Sequence, residues 1–377
     1  MKKKIFAACF LLVCCFIFVE TQRYFSDNDV DILKVEDKEG LIEAAFPYGN
    51  FMKEIYGYSN RFISPNEKVS GTTATIKDSD GYLATINKVD MAVVDNAKYK
   101  ITELNQVCHQ AGTEFSFIMY PSKYNSSTIP TEYGVDTNYE EIRPDFLAYL
   151  DELGIDYLNV RELLENDGYI TKTYFYKTDH HWKTTAGLYA ARAIANYLND
   201  TYGWKLNSSA LDENKFTFTT YDNLWFGETG RDLSRTWVDT LDDFTQIMPN
   251  YETSISLLHP DGEEVSGDFS IMIDTSGYSG DIDYYTYSAY YSYAKGMGSL
   301  TTYHNNYTDE NGKKILIIMD SFSTVVVPFL TLETSDITIW DLRSTPEGLY
   351  QYIADNNFDI VLLAYTDFWR DDMWNFN

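Results

Sequence analysis

A chain of 377 residues, 44% hydrophobic and 23% charged, has the composition of an ordinary globular protein and the length for one large core or two smaller ones. Its 57 acidic residues against 29 basic give a net charge of −28, which excludes a nucleic-acid partner, because phosphate binding needs clustered Lys and Arg to displace counterions. The 32 Tyr and 7 Trp can fill a core, or line a cleft where flat rings stack on sugar faces and phenol hydroxyls reach the edges.

Lys2, Lys3 and Lys4 precede an uncharged run over residues 5–19 that Glu20 ends, the charged and apolar regions of an export signal. The run is shorter than the ~20 apolar residues of a spanning helix, yet no A-x-A cleavage site follows it. Residues 1–20 are therefore expected to be an N-terminal membrane anchor, or else a cleaved signal. In both cases the lysines stay in the cytoplasm and the rest of the chain is extracytoplasmic. A lipoprotein is disfavoured, since Cys14 follows Val13 rather than Gly or Ala and Cys9 comes too early. Cys9, Cys14 and Cys15 lie in this segment and leave Cys108 alone beyond it, so the exported part is expected to stand on its core without a disulfide. Residues 21–41 are polar and acidic and read as a stalk, with the folded domain over 42–377.

Within that domain Met91, Val94, Ala97, Ile101, Leu104, Val107 and Cys108 have helical spacing, and Gly112 supplies a stop. A strand is predicted over 115–120, ended by Pro121, then a helix over 139–153 with Gly154 at its end and a strand over 155–160. Another helix follows Trp182. This alternation predicts an α/β fold with a mainly parallel sheet covered by helices. Residues 206–311, rich in Gly, Ser, Thr, Asp and Tyr, read as a β-rich insertion or as loops forming a cleft wall. The α/β pattern returns with a strand over 314–319, a helix from about Thr324, and strands over 336–340 and 359–364 with a helix between them.

Two segments can carry chemistry. Ser321 lies directly after an apolar strand, in a turn that would present its hydroxyl at the carboxyl edge of the sheet; the same Asp320-Ser321 pattern also suits a helix N-cap. A serine hydroxyl needs a neighbouring base, and the base an orienting carboxylate. Thr178-Asp-His-His-Trp182 supplies both: in an extended segment Asp179 and His181 share a face, which makes His181 the candidate base and Asp179 its orienter, while His180 points away to serve as a substrate contact. A metal site built from Asp179, His180 and His181 with His259 or His304 is the competing reading, weakened because adjacent histidines rarely reach one ion. No metal or other cofactor is expected.

Tyr176-Lys-Thr-Asp-His-His-Trp182 with the Gly187 helix resembles the signature of the Asp-His-His-Trp (DHHW) family, related to alginate O-acetyltransferases of the SGNH hydrolase-like group. Tyr120-Pro-Ser-Lys123, Asp320-Ser-Phe322, Pro328-Phe-Leu330, Asp341-Leu-Arg343 and Asp359-Ile-Val-Leu362 resemble the family in the same order. The resemblance implies a three-layer SGNH hydrolase-like core, Ser321 as nucleophile, His181 as base, Asp179 as orienter, and O-acetyl transfer to an exported polysaccharide. It also implies a multipass membrane O-acyltransferase as acetyl donor. One departure is Met319, which stands where the wider group often has Gly. The same residues would serve a carbohydrate esterase, and the fold could also persist in a non-catalytic glycan-binding protein. Tyr221, Trp225 and Arg231, in an aromatic and Gly-rich segment, are candidates to line an acceptor groove, or to plug a loop onto the core.

Overall fold

Runs that read as unbroken apolar strands do so because the sheet is covered on both faces. The computed structural model describes residues 73–123, 138–168, 171–294, 298–308, 312–345, 347–366 and 371–376, together with 19, 23, 50, 53–55, 57, 58, 61 and 67–70. Its residues group into two compact units, 1–63 with 233–237, and 64–232 with 238–377. In the smaller unit the Glu54 carboxylate accepts the backbone N–H of Arg235 at 3.0 Å and of Thr236 at 2.8 Å.

The larger unit opens with an antiparallel sheet of β1 (Glu67–Ser70), β2 (Thr73–Lys77) and β3 (Leu83–Asn87). Helix α1 (Met91–Ala111) is capped by the Asp90 side chain and stopped by Gly112 at φ 72°, a left-handed conformation that glycine adopts without a Cβ clash. Strand β4 (Glu114–Tyr120), helix α2 (Tyr139–Leu153), strand β5 (Asp156–Asn159), helix α3 (Val160–Asn166) and helix α4 (Thr184–Tyr202) follow. The chain continues through β6 (Phe216–Trp225), the short helix α5 (Glu228–Leu233), β7 (Asp242–Pro249), β8 (Ile255–Leu258), β9 (Glu264–Gly267) and β10 (Thr302–Asn305). It ends with β11 (Lys314–Met319), α6 (Val327–Leu330), β12 (Asp336–Trp340), α7 (Leu349–Asp355) and β13 (Ile360–Thr366).

Eight strands make the central sheet in the order β5-β4-β13-β11-β12-β10-β8-β9. The first five are parallel, and β10, β8 and β9 add antiparallel pairs at one side. Alternate residues of each central strand feed two cores. Ile315, Ile317 and Met319 of β11 pack with α4 residues such as Leu188 and Ile194, whereas Leu316 and Ile318 pack with α1 and α7 residues such as Ile101 and Ile353. The result is a three-layer helix–sheet–helix arrangement, the period-2 consequence of strands buried on both sides.

The sheet is mixed rather than mainly parallel, because part of the stretch over 206–311 joins it as β8, β9 and β10 instead of standing apart; β6 and β7 pair separately as a hairpin. Nor does a regular helix start at Thr324. A 3-10 turn at Ser321–Val325 precedes the four-residue α6. Val325, Val326 and Val327 are β-branched and Pro328 restricts the residue before it, which disfavours a longer helix. No helix among the described residues is long and apolar enough to cross a membrane. The expected anchor over 1–20 and stalk over 21–41 lie outside the described residues, save Val19 and Arg23.

One close approach joins the two halves of the site. A Cβ added at Gly187 in α4 would stand 2.3 Å from the Val325 carbonyl oxygen in the serine turn. Gly187→Ala is expected to destabilise the fold by ~1–3 kcal/mol, the usual cost of overpacking, seen as a lowered denaturation midpoint; an unchanged midpoint would show that the turn yields freely.

Candidate active site

Residues 176–181 form a tight loop: Phe175 and Trp182 make an antiparallel bridge, and Tyr176 donates its N–H to the His181 carbonyl at 3.2 Å. Inside the loop Asp179 Oδ1 accepts the His181 backbone N–H at 2.8 Å and lies 2.6 Å from His181 Nδ1. Asp179 and His181 meet through an Asx-type turn, not the extended segment expected from sequence. The difference matters for His180, which does not point away. A turn has no two-sided alternation, and the His180 ring lies 3.9 Å from that of His181, lining the same cavity as Ser321.

Ser321 opens the turn that follows β11. Asp320 caps this turn: one carboxylate oxygen accepts the Phe322 N–H at 2.9 Å, the other the Thr366 N–H of β13 at 2.8 Å. Burial pushes the Asp320 carboxyl up to about 6. Ser321 Oγ stands 2.7 Å from His181 Nε2. An ionised carboxylate only accepts, so the Asp179 contact assigns the proton to Nδ1 and leaves the Nε2 lone pair facing the serine hydroxyl.

Aromatic residues fix this alignment. Trp182 donates its indole N–H to the Phe322 carbonyl at 3.0 Å, binding the histidine loop to the serine turn. The Tyr290 ring stacks on His181 at 4.0 Å and 20°, and its hydroxyl donates to the Ser321 carbonyl at 3.0 Å.

Asp179 is buried to 1% exposure, so its charge requires compensation. Burial works to raise its pKa, but the neighbouring His181 and His180 and the hydrogen bonds it accepts hold the carboxyl far below the usual range. Its second oxygen accepts the Glu228 N–H at 2.5 Å. That approach needs Gly227, where a Cβ would stand 2.3 Å from Asp179 Cβ. The loop backbone is gripped from both sides. Lys123 Nζ donates to the carbonyls of Tyr176, Lys177 and Asp179 at 2.8, 3.0 and 2.9 Å. Asp242 accepts the N–H groups of Lys177 and Thr178 at 2.5 and 2.7 Å and the Thr178 hydroxyl at 2.6 Å. Burial lowers Lys123 to about 8, which still leaves an ammonium at neutral pH to satisfy three acceptors.

Ser321 faces a cavity of about 260 Å³. His180, Glu228 and Arg343 give it polar walls, and Met319, Phe322 and Tyr365 apolar ones. Arg343 is anchored by Asp341 through Nε at 2.9 Å and Nη2 at 2.7 Å.

Tyr221, Trp225 and Arg231 do not line this cavity. Trp225 is fully buried, edge-on to Tyr176 at 4.7 Å and stacked on Tyr290 at 6.2 Å. Tyr221 packs on Tyr278 at 4.7 Å, and Arg231 reaches the Tyr285 carbonyl at 3.4 Å. The segment plugs onto the core, because its large rings gain more from burial than from exposure, and it reaches the site through Gly227, which meets Asp179, and through Glu228 and Thr229, which line the cavity.

The donor atoms of Asp179, His180 and His181 lie within 4.8 Å of one another, but both His181 nitrogens are engaged, so metal ligation would break the Ser321 contact. His304 pairs with Asp336 and His259 with Thr301, in or beside the antiparallel strands. Sequence reasoning missed Asp242, Glu228 and Tyr290, and gave Lys123 and Arg343 no role beyond their motifs.

Gly227→Ala is expected to lower turnover ~10²-fold, as a 1 Å misplacement can, and to destabilise the fold by ~1–3 kcal/mol through overpacking against Asp179. Lys123→Met is expected to cost at least ~2 kcal/mol, since it strands buried carbonyls, together with turnover. Full activity and stability in Lys123→Met would remove it from the support of the loop.

Residues 82–256 match the family model of the SGNH hydrolase-like domain of the acetyltransferase AlgX. Asp179 and His181 fall inside that span, and Ser321 beyond it. No curated protein matches the chain. In structure the chain is similar to a DHHW family protein from Eubacterium siraeum, with a TM-score of 0.59 at 17% identity, covering 80% of this chain and 92% of that one. It is also similar to Bacillus cereus PatB1, in a structure with a sulfonyl adduct, with a TM-score of 0.63 at 20% identity, covering 82% of this chain and 99% of that one. At these identities the two structures speak for the fold, while the family model speaks for the domain. From the end of the first sheet into the middle stretch, the chain is matched by the SGNH hydrolase-like acetyltransferase family of AlgX, on a fold shared with a DHHW protein and PatB1.

Proposed function

We propose that this chain transfers O-acetyl groups to an exported or cell-surface polysaccharide through an acetyl-Ser321 intermediate. The observation that carries the reading is the continuous relay from Asp179 through His181 to Ser321, at 2.6 and 2.7 Å, opening onto one cavity. His181 Nε2 takes the proton as Ser321 Oγ attacks the acetyl carbonyl of a donor ester, and Asp179 stabilises the imidazolium. Collapse of the tetrahedral intermediate breaks the donor C–O bond, and His181 protonates the leaving oxygen. A sugar hydroxyl then gives its proton to His181, attacks the acyl-serine and leaves as the acetyl ester, and the serine recovers the proton.

In this proposal the domain works outside the cytoplasm, held or exported by residues 1–20, with a multipass membrane O-acyltransferase as donor. Esterase action differs only in the second attack, by water instead of sugar. A purely glycan-binding role would leave the aligned relay without a use.

The test follows acetyl release from 4-nitrophenyl acetate and acetylated sugar by mass spectrometry. Ser321→Ala and His181→Ala are expected to lose turnover by ~10⁴–10⁶, as relay losses do, and His180→Ala far less. Rapid quenching should trap acetyl on the peptide holding Ser321. Undiminished acetyl release by Ser321→Ala would end the mechanism; acetate alone, with no acetylated sugar from any acceptor, would make the chain an esterase.

A further inference from the structure

The cavity at Ser321, about 260 Å³, sits below the ~300–1,000 Å³ of ordinary small-molecule sites. A polymer acceptor is longer than this cavity, so part of the chain lies across its rim. The aromatic candidates of the sequence, Tyr221 and Trp225, are occupied inside the core.

A different aromatic residue stands beside the cavity, next to His181 and not among the residues that line it. In the 3-10 turn Tyr290–Ala294 the rings of Tyr290 and Tyr293 are fully buried, whereas Tyr291 between them is 44% exposed. Its ring centroid lies 6.0 Å from that of His181, at an interplanar angle of 77°, so an exposed ring stands beside the base that must deprotonate the acceptor. Arg343, Glu228 and Asp341, which line the cavity, are among the charges acting on its phenol.

Charge narrows the ligand. Among the described residues that line the cavity, Glu228, Asp232, Asp320 and Asp341 are acidic and only Lys123 and Arg343 are cationic. Lys123 is spent on three carbonyls and Arg343 on Asp341. The whole chain carries −28. A polyuronate would meet like charge both at long range and at contact.

Building on the acetyl-transfer reading, we propose that Tyr291 is the stacking platform of an acceptor subsite for an uncharged pyranose chain, which it holds with one hydroxyl toward His181. Stacking on the exposed part of the Tyr291 ring orients the sugar, and Glu228 and His180 supply hydrogen-bond partners for its hydroxyls.

The test is made on binding, so that it does not depend on serine chemistry. The full chain carrying Ser321→Ala is titrated calorimetrically with cellohexaose, xylohexaose and hexagalacturonate. At least one uncharged hexasaccharide is expected to bind. Adding Tyr291→Ala should weaken it ~10-fold, the effect of ~1.4 kcal/mol, and Tyr291→Phe should keep affinity within ~3-fold, since the face is retained. Tyr307→Ala is the control: Tyr307 is 65% exposed in the turn after β10, at the sheet edge opposite Ser321. It should leave binding unchanged. Thermal unfolding confirms that each variant is folded. Equal binding by Tyr291→Ala, tighter binding of hexagalacturonate than of the uncharged sugars, or no binding of either uncharged sugar overturns the subsite. Failure of the acetyl-transfer reading shows separately, as undiminished acetyl release by Ser321→Ala.

Discussion

A buried carboxylate cannot remain charged without donors, and Asp179 is the carboxylate around which this site is arranged. Its two oxygens receive the His181 ring and backbone nitrogens on one side and the Glu228 N–H on the other. Each donor imposes a further requirement. The His181 contact fixes a turn whose carbonyls need Lys123 and whose amides need Asp242. The Glu228 contact requires a residue without a side chain at 227. What reads as a three-residue relay is the visible part of a polar network in which each member satisfies another, and such networks define a single geometry when complete.

The same logic explains the role of the middle stretch. Its strands β8, β9 and β10 lengthen the sheet, but its contribution to chemistry is more direct. The Glu228 N–H compensates Asp179 where Gly227 lets the chain approach, Asp242 grips the loop, and Tyr290 stacks on His181 while bonding the serine turn. Trp225 stacks behind Tyr290, so the aromatic content of this region is spent chiefly on holding an imidazole flat against a phenol. The stretch is thus the wall that completes the site, set against α4 and β11, which bring the base and the serine.

Much of the frame was legible because it rests on patterns that burial imposes. The helix stopped at Gly112 follows from helical periodicity and a left-handed glycine, and the strands over 314–319 and 336–340 from short apolar runs. His181 was legible because histidine is scarce, with five in the chain and two of them adjacent, Asp179 by its spacing from it, and Ser321 by its place directly after an apolar strand. What escaped has a common physical cause. The Glu228 N–H is backbone, present at nearly every position, and its importance depends on where the chain folds. Tyr290 and Tyr291 are two among 32 Tyr, and only the fold buries one and exposes the other. The orientation of His180 was misread because a single side-chain-to-backbone hydrogen bond converted an extended segment into a turn, a competition that local sequence leaves open.

The His181–Ser321 contact spans 140 positions of chain. Contacts of such separation pay their loop-closure entropy before they return any stabilisation, and they form late when the intervening strands must first pair. Here those strands include β8 and β10, and the histidine loop with the helix after it meets the serine turn through the Trp182–Phe322 bond and the close approach of Gly187 to Val325. An unfolded chain therefore contains a serine and an imidazole that have not met. Its hydroxyl is then no more reactive than any other, and only assembly of the sheet brings the imidazole to it.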